Sequence, residues 1–225
     1  MIQVDREGGV GLLRLNRPEK ANAYDRAHLD AIAAGVASLA DCNVVVVFAT
    51  GRAFCAGADL SEIAERRATK DWNAALTLRS QAVFTALSKA PFVSVASVQG
   101  PAVAGGFELA LACDLRVVGP GAKFSLPETS LGIVPAAGGM TRLARLCGVS
   151  FAKGVVLGGR VIDAPEAMRM GLAHMEGDDD AAIGWAIEIA GRDPAAQRCA
   201  KERLGVAESE LGLLLERTGQ AGLVR

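Results

Sequence analysis

"VSVASVQGPAVAGGFELALACDLRVV", residues 93–118, joins two short apolar runs through a glycine turn and a largely apolar segment that carries a carboxylate, Glu108, near its start. Apolar runs without a polar alternation are typical of parallel strands that are covered on both faces. The segment between the runs is long enough for a helix, and the glycines Gly105 and Gly106 mark its beginning. The stretch therefore predicts a strand, a turn, a helix and a second strand, which is the repeating order of an α/β fold.

The same order precedes this stretch. "NVVVVFAT" (43–50) is a β-branched run that predicts a buried strand, and "GRAFCAGADL" (51–60) is a glycine-punctuated turn. A helix is expected to start near residue 61, and the pattern predicts another over about 71–89. Further upstream, "GVGLLRLN" (9–16) predicts a strand.

Two helix starts carry sequence signals. Asp25 is predicted to be the N-cap of an amphipathic helix whose apolar positions are spaced by three and four residues. "DAPE" (163–166) has the pattern of a capping box, in which Asp163 is the N-cap and Glu166 reaches back to it. The chain is expected to be mainly helical from about residue 141. We thus predict an α/β core over 1–165 and a shortened helical C-terminal region over 166–225.

Composition excludes several classes of protein. Hydrophobic residues make up 51% of the 225 residues and the net charge is −1, so disorder and binding to nucleic acid or to an anionic membrane are not expected. The apolar runs are too short to span a bilayer, and the N-terminus does not resemble a signal peptide. The five cysteines form no C-x-x-C pair and the two histidines are far apart, so we expect reduced thiols, no metal and a cytoplasmic protein.

Two glycine-rich junctions and two glutamates are the candidate site. "CAGADL" and "AGGFELA" each place small residues where a strand gives way to a helix, and backbone N–H groups at such junctions lack partners within the helix. If both junctions faced one cavity, they would stabilise a carbonyl oxygen that gains negative charge. Glu108 and Glu128 are 20 residues apart, a spacing that allows both to reach the same pocket. Two carboxylates in one dry pocket have pKa values that are pushed apart, which suits one acid and one base.

Each of these residues has a plainer explanation when it is taken alone. Glu108 could be a charge favoured by a helix N-terminus, Gly105 and Gly106 could form an ordinary tight turn, and Glu128 could be a solvated loop residue. Cys55 could be a nucleophile, but we favour packing. Only the combination of these residues favours catalysis.

Five motifs together closely resemble the enoyl-CoA hydratase/isomerase, or crotonase, superfamily. They are "NRPEKANA" (16–23), "GRAFCAGADL" (51–60), "AGGFELALACD" (104–114), "FSLPETSLGIVPAAGG" (124–139) and "RLARLCG" (142–148). The resemblance runs from about residue 9 to 175, and the order and spacing of the motifs make it specific. It implies a spiral of β-β-α repeats followed by helices, and a homotrimer or a dimer of trimers.

The resemblance also implies the chemistry of the site. The substrate would be an acyl-CoA thioester, its carbonyl oxygen would accept from the N–H groups of Ala58 and Gly105, Glu108 would hold and activate water, and Glu128 would protonate the α-carbon. Coenzyme A would arrive as part of the substrate, so no separate cofactor is expected. Residues implied to contact the substrate are Lys20, Ala21, Ala23, Ala56, Asp59, Leu60, Gly106 and Ala136, with Lys20 as the phosphate contact. The region 65–78, with Trp72, is expected to line the acyl pocket.

The sequence departs from the family pattern at Ala104 and Ala136, where many relatives have glycine; we expect the first change to be mild. Both glutamates are present, which favours a hydratase. An enoyl-CoA isomerase, another acyl-CoA enolate reaction such as decarboxylation or hydrolysis, and a weakly catalytic acyl-CoA-binding or scaffold subunit stay open as alternatives.

Overall fold

A computed structural model describes residues 2–59 and 70–205, with side chains from residue 74 onward in the second range. The strands are β1 (Ile2–Glu7), β2 (Val10–Leu15), β3 (Val44–Ala49), β4 (Val93–Val98), β5 (Pro101–Val103), β6 (Leu115–Val118), β7 (Lys123–Ser125), β8 (Ile162–Asp163) and β9 (Met175–Glu176). The helices are α1 (Arg26–Ser38), α2 (Lys70–Ser88), α3 (Gly105–Ala112), α4 (Gly139–Cys147), α5 (Val149–Val156), α6 (Ala164–Arg169), α7 (Asp179–Ala190) and α8 (Pro194–Gly205). Short 3-10 helices span Pro18–Lys20 and Glu128–Leu131.

The main sheet has six strands in the order β1-β2-β3-β4-β6-β9. β1 pairs antiparallel with β2, whereas the other neighbouring strands are parallel. In register, Leu12 lies opposite Val46, and Val46 lies opposite Val95. The four valines at 44–47 are fully buried, as the β-branched run without alternation predicts for a strand covered on both faces.

A second sheet runs beside the first and completes the repeat. It has the order β5-β7-β8, and an isolated parallel bridge between Cys55 and Ala102 continues it on the side of β5. The chain therefore passes from a main-sheet strand to the second sheet and then into a helix: β3, Cys55 and α2, followed by β4, β5 and α3. This is the predicted spiral of β-β-α repeats, and the α/β fold class is confirmed.

Apolar side chains cover both faces of the main sheet. One face packs on helices α1 to α6 through a large cluster that includes Leu29, Phe84 and Phe107. The other face packs on α7, where Ala182 and Ala186 are fully buried. The C-terminal helices thus lie directly on the sheet, while the division at residue 165 stays a prediction.

Several local predictions are confirmed. The N-caps Asp25 and Asp163 accept from the N–H groups three residues later, at 2.9 Å each. Glu166, however, pairs with Arg160 instead of closing a capping box. Strands β1, β5, β8 and β9 were not predicted. The expected helix near residue 61, Leu60 and the Trp72 side chain lie outside the described part.

In residues 2–59 and 70–205, each helix is too short or too polar to cross a bilayer.

Candidate active site

The glycine loop after β3 and the N-terminus of α3 touch each other. A Cβ added at Gly57 would lie 3.1 Å from the backbone nitrogen of Gly105, and a Cβ at Gly106 would collide with the carbonyl oxygen of Cys55. Gly106 is therefore required for the two segments to approach, and Gly57 also has a φ of 87°, which favours glycine. The two junctions that the sequence singled out do face one another.

The two predicted carbonyl-binding N–H groups lie in these segments. Tyr24 pairs with the loop as an isolated bridge, in which it donates to the carbonyl of Gly57 and accepts from the N–H of Asp59, each at 2.8 Å. Ala58 lies between Gly57 and Asp59. Because the N–H groups of successive residues in an extended chain point to opposite sides, the N–H of Ala58 points away from the bridge. Gly105 is the first residue of α3, where N–H groups have no acceptor within the helix. Within residues 2–59 and 70–205, neither N–H donates to a backbone carbonyl.

Glu108 is held at the N-terminus of a second helix. Glu108 is only 3% exposed. Its Oε1 atom accepts hydrogen bonds from the N–H groups of Ala137 and Gly139, each at 2.8 Å. The N–H of Gly139 is the first of α4 and that of Ala137 lies just before the helix, so the helix dipole adds to the two hydrogen bonds in stabilising the ionised carboxylate. A Cβ at Gly139 would come within 2.8 Å of the same oxygen, which explains why glycine stands there.

Two buried polar side chains bind the loop before α4, whose backbone N–H groups bind Glu108. Gln81, from α2, lies with its Nε2 atom 3.4 Å from the carbonyl oxygen of Ala136, and Arg142 donates from Nη1 to the carbonyl of Ala137 at 2.9 Å. Gln81 is 6% exposed and Arg142 is 5% exposed. Sequence reasoning missed both roles, because a side chain that binds a distant carbonyl leaves no pattern of its own.

Glu128 begins the 3-10 helix that follows β7. It is buried, and its neighbour Thr129 ties this turn to the carbonyl of Val156 at 2.9 Å. Burial and the charges of Glu108 and Glu128 raise the pKa of the Tyr24 phenol. The negative charges of both predicted glutamates therefore act on the same buried phenol.

The predicted substrate-contacting residues before residue 61 fall in two adjoining segments, whereas Gly106 lies on α3 and Ala136 in the loop before α4. Lys20 is exposed at the end of the first 3-10 helix, and the carbonyl of Ala21 accepts from the N–H of Ala56 at 3.0 Å. The carboxylate of Asp59 is buried and lies 2.9 Å from Arg17, whose guanidinium also donates to the carbonyl of Ala23. This ion pair fixes the loop after β3 against the segment after β2. Leu60 lies outside the described residues.

Cys55 is a packing residue in this structure. It is 1% exposed, and burial raises the pKa of its thiol to about 12. The thiol is therefore protonated at physiological pH, which is unsuitable for a nucleophile.

The spiral of β-β-α repeats is the fold of solved structures in the crotonase superfamily. The family model for enoyl-CoA hydratase/isomerase matches residues 5–213, and the chain belongs to that family. It is 38% identical over 224 residues to the 2,3-dehydroadipyl-CoA hydratase of Escherichia coli K12. The alignment covers 95% of this chain and 86% of that protein. It is 32% identical over 211 residues to the short-chain-enoyl-CoA hydratase of Clostridium acetobutylicum, covering 90% and 80%. The crystal structure of an enoyl-CoA hydratase from Bacillus anthracis superposes with a TM-score of 0.88 at 33% identity, covering 99% of this chain and 90% of that one.

Proposed function

We propose that this protein is an enoyl-CoA hydratase, which adds water across the 2,3 double bond of an enoyl-CoA thioester. The observation that carries the proposal is the pair of hydrogen bonds from the N-terminus of α4 to Glu108, beside a second buried glutamate and two adjacent N–H groups. The names of the E. coli and C. acetobutylicum relatives support the same reaction.

The proposed reaction begins at Glu108. Its ionised carboxylate takes one proton from a water molecule while the water oxygen bonds to the β-carbon of the substrate. The electron pair of the double bond then moves toward the thioester, whose carbonyl oxygen becomes an enolate oxygen. The N–H groups of Ala58 and Gly105 stabilise that charge as it forms, and losing one such donor typically costs about 3 kcal/mol of transition-state stabilisation.

Glu128 completes the proposed addition by delivering its proton to the α-carbon, so that one water molecule is added in total. The proton that Glu108 gained then restores the acid, and neither a metal nor a separate cofactor takes part. Coenzyme A is part of the substrate. We assign its contacts to Lys20, Ala21, Ala23 and Ala56, whose segments adjoin in the structure.

We also propose a cytoplasmic homotrimer or dimer of trimers. Three exposed apolar side chains support an interface between subunits: Leu131 is 59% exposed, Val149 is 61% exposed and Leu157 is 71% exposed. The contact of Thr129 with the carbonyl of Val156 brings the segments of Leu131 and Leu157 together. Apolar side chains that adjoin on a surface are typical of contacts with another chain.

The test is the loss of the conjugated-enoyl absorbance when the protein meets crotonyl-CoA. Wild type should remove it rapidly, while Glu108→Gln and Glu128→Gln should each lower kcat by at least about 100-fold, because each removes a proton-transferring group. Glu188→Gln is the matched control, since Glu188 is an exposed carboxylate on α7 and should leave kcat unchanged. Binding of crotonyl-CoA without loss of absorbance would contradict the hydratase proposal. A shift of the double bond in a 3-enoyl-CoA would then favour an isomerase.

A further inference from the structure

Tyr24 contacts both segments that carry the proposed carbonyl-binding N–H groups. Its backbone forms the bridge to the loop of Ala58, through the 2.8 Å hydrogen bonds with Gly57 and Asp59. Its side chain reaches the other segment, because a Cβ added at Gly105 would collide with the Tyr24 hydroxyl. One residue thus spans the junction between the glycine loop and the N-terminus of α3.

The orientation of the Tyr24 ring is fixed by two neighbours on α2. Ser80 donates its hydroxyl proton to the carbonyl of Leu76 at 2.9 Å, and a side-chain hydrogen bond between Ser80 and Tyr24 acts to lower the pKa of the Tyr24 phenol. Phe84 meets the ring edge-on, with 5.9 Å between the ring centroids and 87° between the planes. Tyr24 is 5% exposed, so the phenol has little freedom to move.

The chemistry of this phenol differs from that of a general base. Burial, followed by the nearby charge of Glu108, raises its pKa, so the group is neutral at every working pH. A neutral hydroxyl that is hydrogen-bonded with Ser80 serves to hold position. It holds the first residue of α3, which carries one of the two N–H groups.

We propose that Tyr24 is a positioning residue, which keeps the N–H groups of Ala58 and Gly105 in register through its backbone bridge and its hydroxyl contact. This inference rests on the proposed function, in which both groups bind the thioester oxygen. A displacement of about 1 Å in a catalytic arrangement can lower a rate about 100-fold. Removing only the hydroxyl, which leaves the ring and the bridge in place, should therefore have a smaller effect of about tenfold on kcat.

The experiment compares Tyr24→Phe and Ser80→Ala with the control Ser88→Ala. Ser88 also donates to a backbone carbonyl of α2, that of Thr85 at 3.1 Å, about 12 Å further along the helix from Ser80. Each variant is assayed for kcat and KM with crotonyl-CoA and for thermal unfolding. Each is also mixed with 4-dimethylaminocinnamoyl-CoA, a thioester whose absorbance shifts to the red when its carbonyl oxygen is polarised.

Tyr24→Phe should lower kcat about tenfold with KM changed less than about twofold, and it should reduce the red shift of the bound chromophore. Ser80→Ala should show the same pattern to a smaller extent, while Ser88→Ala should match wild type. Since Ser80→Ala keeps Tyr24 itself, it preserves the test if Tyr24→Phe fails to fold.

Two outcomes would overturn the inference. One is a Tyr24→Phe variant that melts at a lower temperature but keeps the full red shift and kcat, since its hydroxyl would then serve stability alone. The other is a wild-type protein that binds the chromophore without a red shift, because the two N–H groups would then not reach the carbonyl. A wild type that shifts the chromophore but does not hydrate crotonyl-CoA would overturn the hydratase proposal only, and the red shift of the variants would still decide the role of Tyr24.

Discussion

Ala104 has a backbone conformation that suits glycine and strains alanine. Its φ is 52° and its ψ is −126°, and it immediately precedes Gly105, one of the two proposed carbonyl-binding residues. Non-glycine residues in such regions store roughly 1–3 kcal/mol of strain, and they occur often at functional sites. The sequence-based expectation that alanine is a mild change here is therefore corrected by the backbone geometry.

Ala104→Gly should raise the free energy of unfolding by about 1 kcal/mol, because relief of the strain outweighs the greater freedom of glycine in the unfolded chain. Urea denaturation followed by circular dichroism measures the change. Ala34→Gly is the control: Ala34 is exposed in the regular helix α1, so glycine there should lower stability by about 1 kcal/mol. If the two substitutions destabilised the protein equally, the strain at Ala104 would be disproved.

The site residues that could be predicted from the sequence are those that stand close together in it and form a recognisable motif. Gly105, Gly106 and Glu108 stand together at a helix start, and the glycines are needed there for the contacts that the structure shows. Tyr24 and Gln81 act only through groups that are distant in sequence, which no periodicity or spacing records. Most of the partners that hold the site could thus be found only in three dimensions.

Two helix N-termini meet at the site and have different tasks. α3 begins with the proposed carbonyl-binding N–H group, whereas the first N–H of α4, at Gly139, holds Glu108 together with the N–H of Ala137 just before the helix. The sequence pattern predicted the first helix, but for the second it indicated only helix from about residue 141. The reason is that α4 has no side-chain cap: Gly138, at φ 104°, precedes it, and its first turn is capped by the carboxylate of a distant helix.

Gly139→Ala should disable the proposed catalysis while the fold stays intact. The added methyl group would lie 2.8 Å from Oε1 of Glu108, so the carboxylate must leave the end of α4. Because a proton-transferring group loses its position, kcat with crotonyl-CoA should fall about 100-fold, with a much smaller change in the affinity for a saturated acyl-CoA measured by calorimetry.

Gly154→Ala is the matched control for that substitution. Gly154 lies within α5, and a Cβ there would meet no atom within 4 Å, so alanine should leave kcat unchanged and stabilise the helix by about 0.5 kcal/mol. An equal loss of kcat in both variants, or an active Gly139→Ala protein, would contradict the role of the α4 N-terminus.

The strands that the sequence did not reveal are β1, β5, β8 and β9, and each is defined by its pairing. β1 is an edge strand whose side chains are largely exposed, so it lacks the apolar run by which β2, β3 and β4 were predicted. β5 has only three residues, and it exists because β7 lies beside it in parallel register. Pattern-based prediction therefore recovers the buried strands and loses the short and exposed ones.

The C-terminal helices are anchored to the sheet by one cation. Lys201, on α8, donates to the carbonyl of Phe92 at 2.7 Å and lies 2.7 Å from a carboxylate oxygen of Asp114, which also accepts from the backbone N–H of Ser94. Lys201 therefore joins α8 to the beginnings of β4 and β6. Together with the packing of α7 on the sheet, this makes the helical region and the spiral one structural unit over the described residues.

Lys201→Met should therefore lower the stability of the whole molecule. We expect a loss of about 2 kcal/mol in the free energy of unfolding, since the Lys201 side chain is 13% exposed and its removal leaves Asp114 with a less compensated charge. In a Trp72→Phe background, the fluorescence of Trp185 reports on α7 and far-UV circular dichroism reports on the whole chain. In each protein, with and without the substitution, the two probes should show a single urea transition with one common midpoint, and that midpoint should be lower in Lys201→Met, because α7 and the sheet unfold together.

The matched control is Lys153→Met, on the exposed face of α5, which should change stability by less than about 0.5 kcal/mol. If Trp185 unfolded at a lower urea concentration than the rest of the chain, the C-terminal helices would form a separate cooperative unit. If Lys201→Met were as mild as the control, the hydrogen bonds to Phe92 and Asp114 would contribute little, and the apolar contact of α7 with the sheet would be what holds the two regions together.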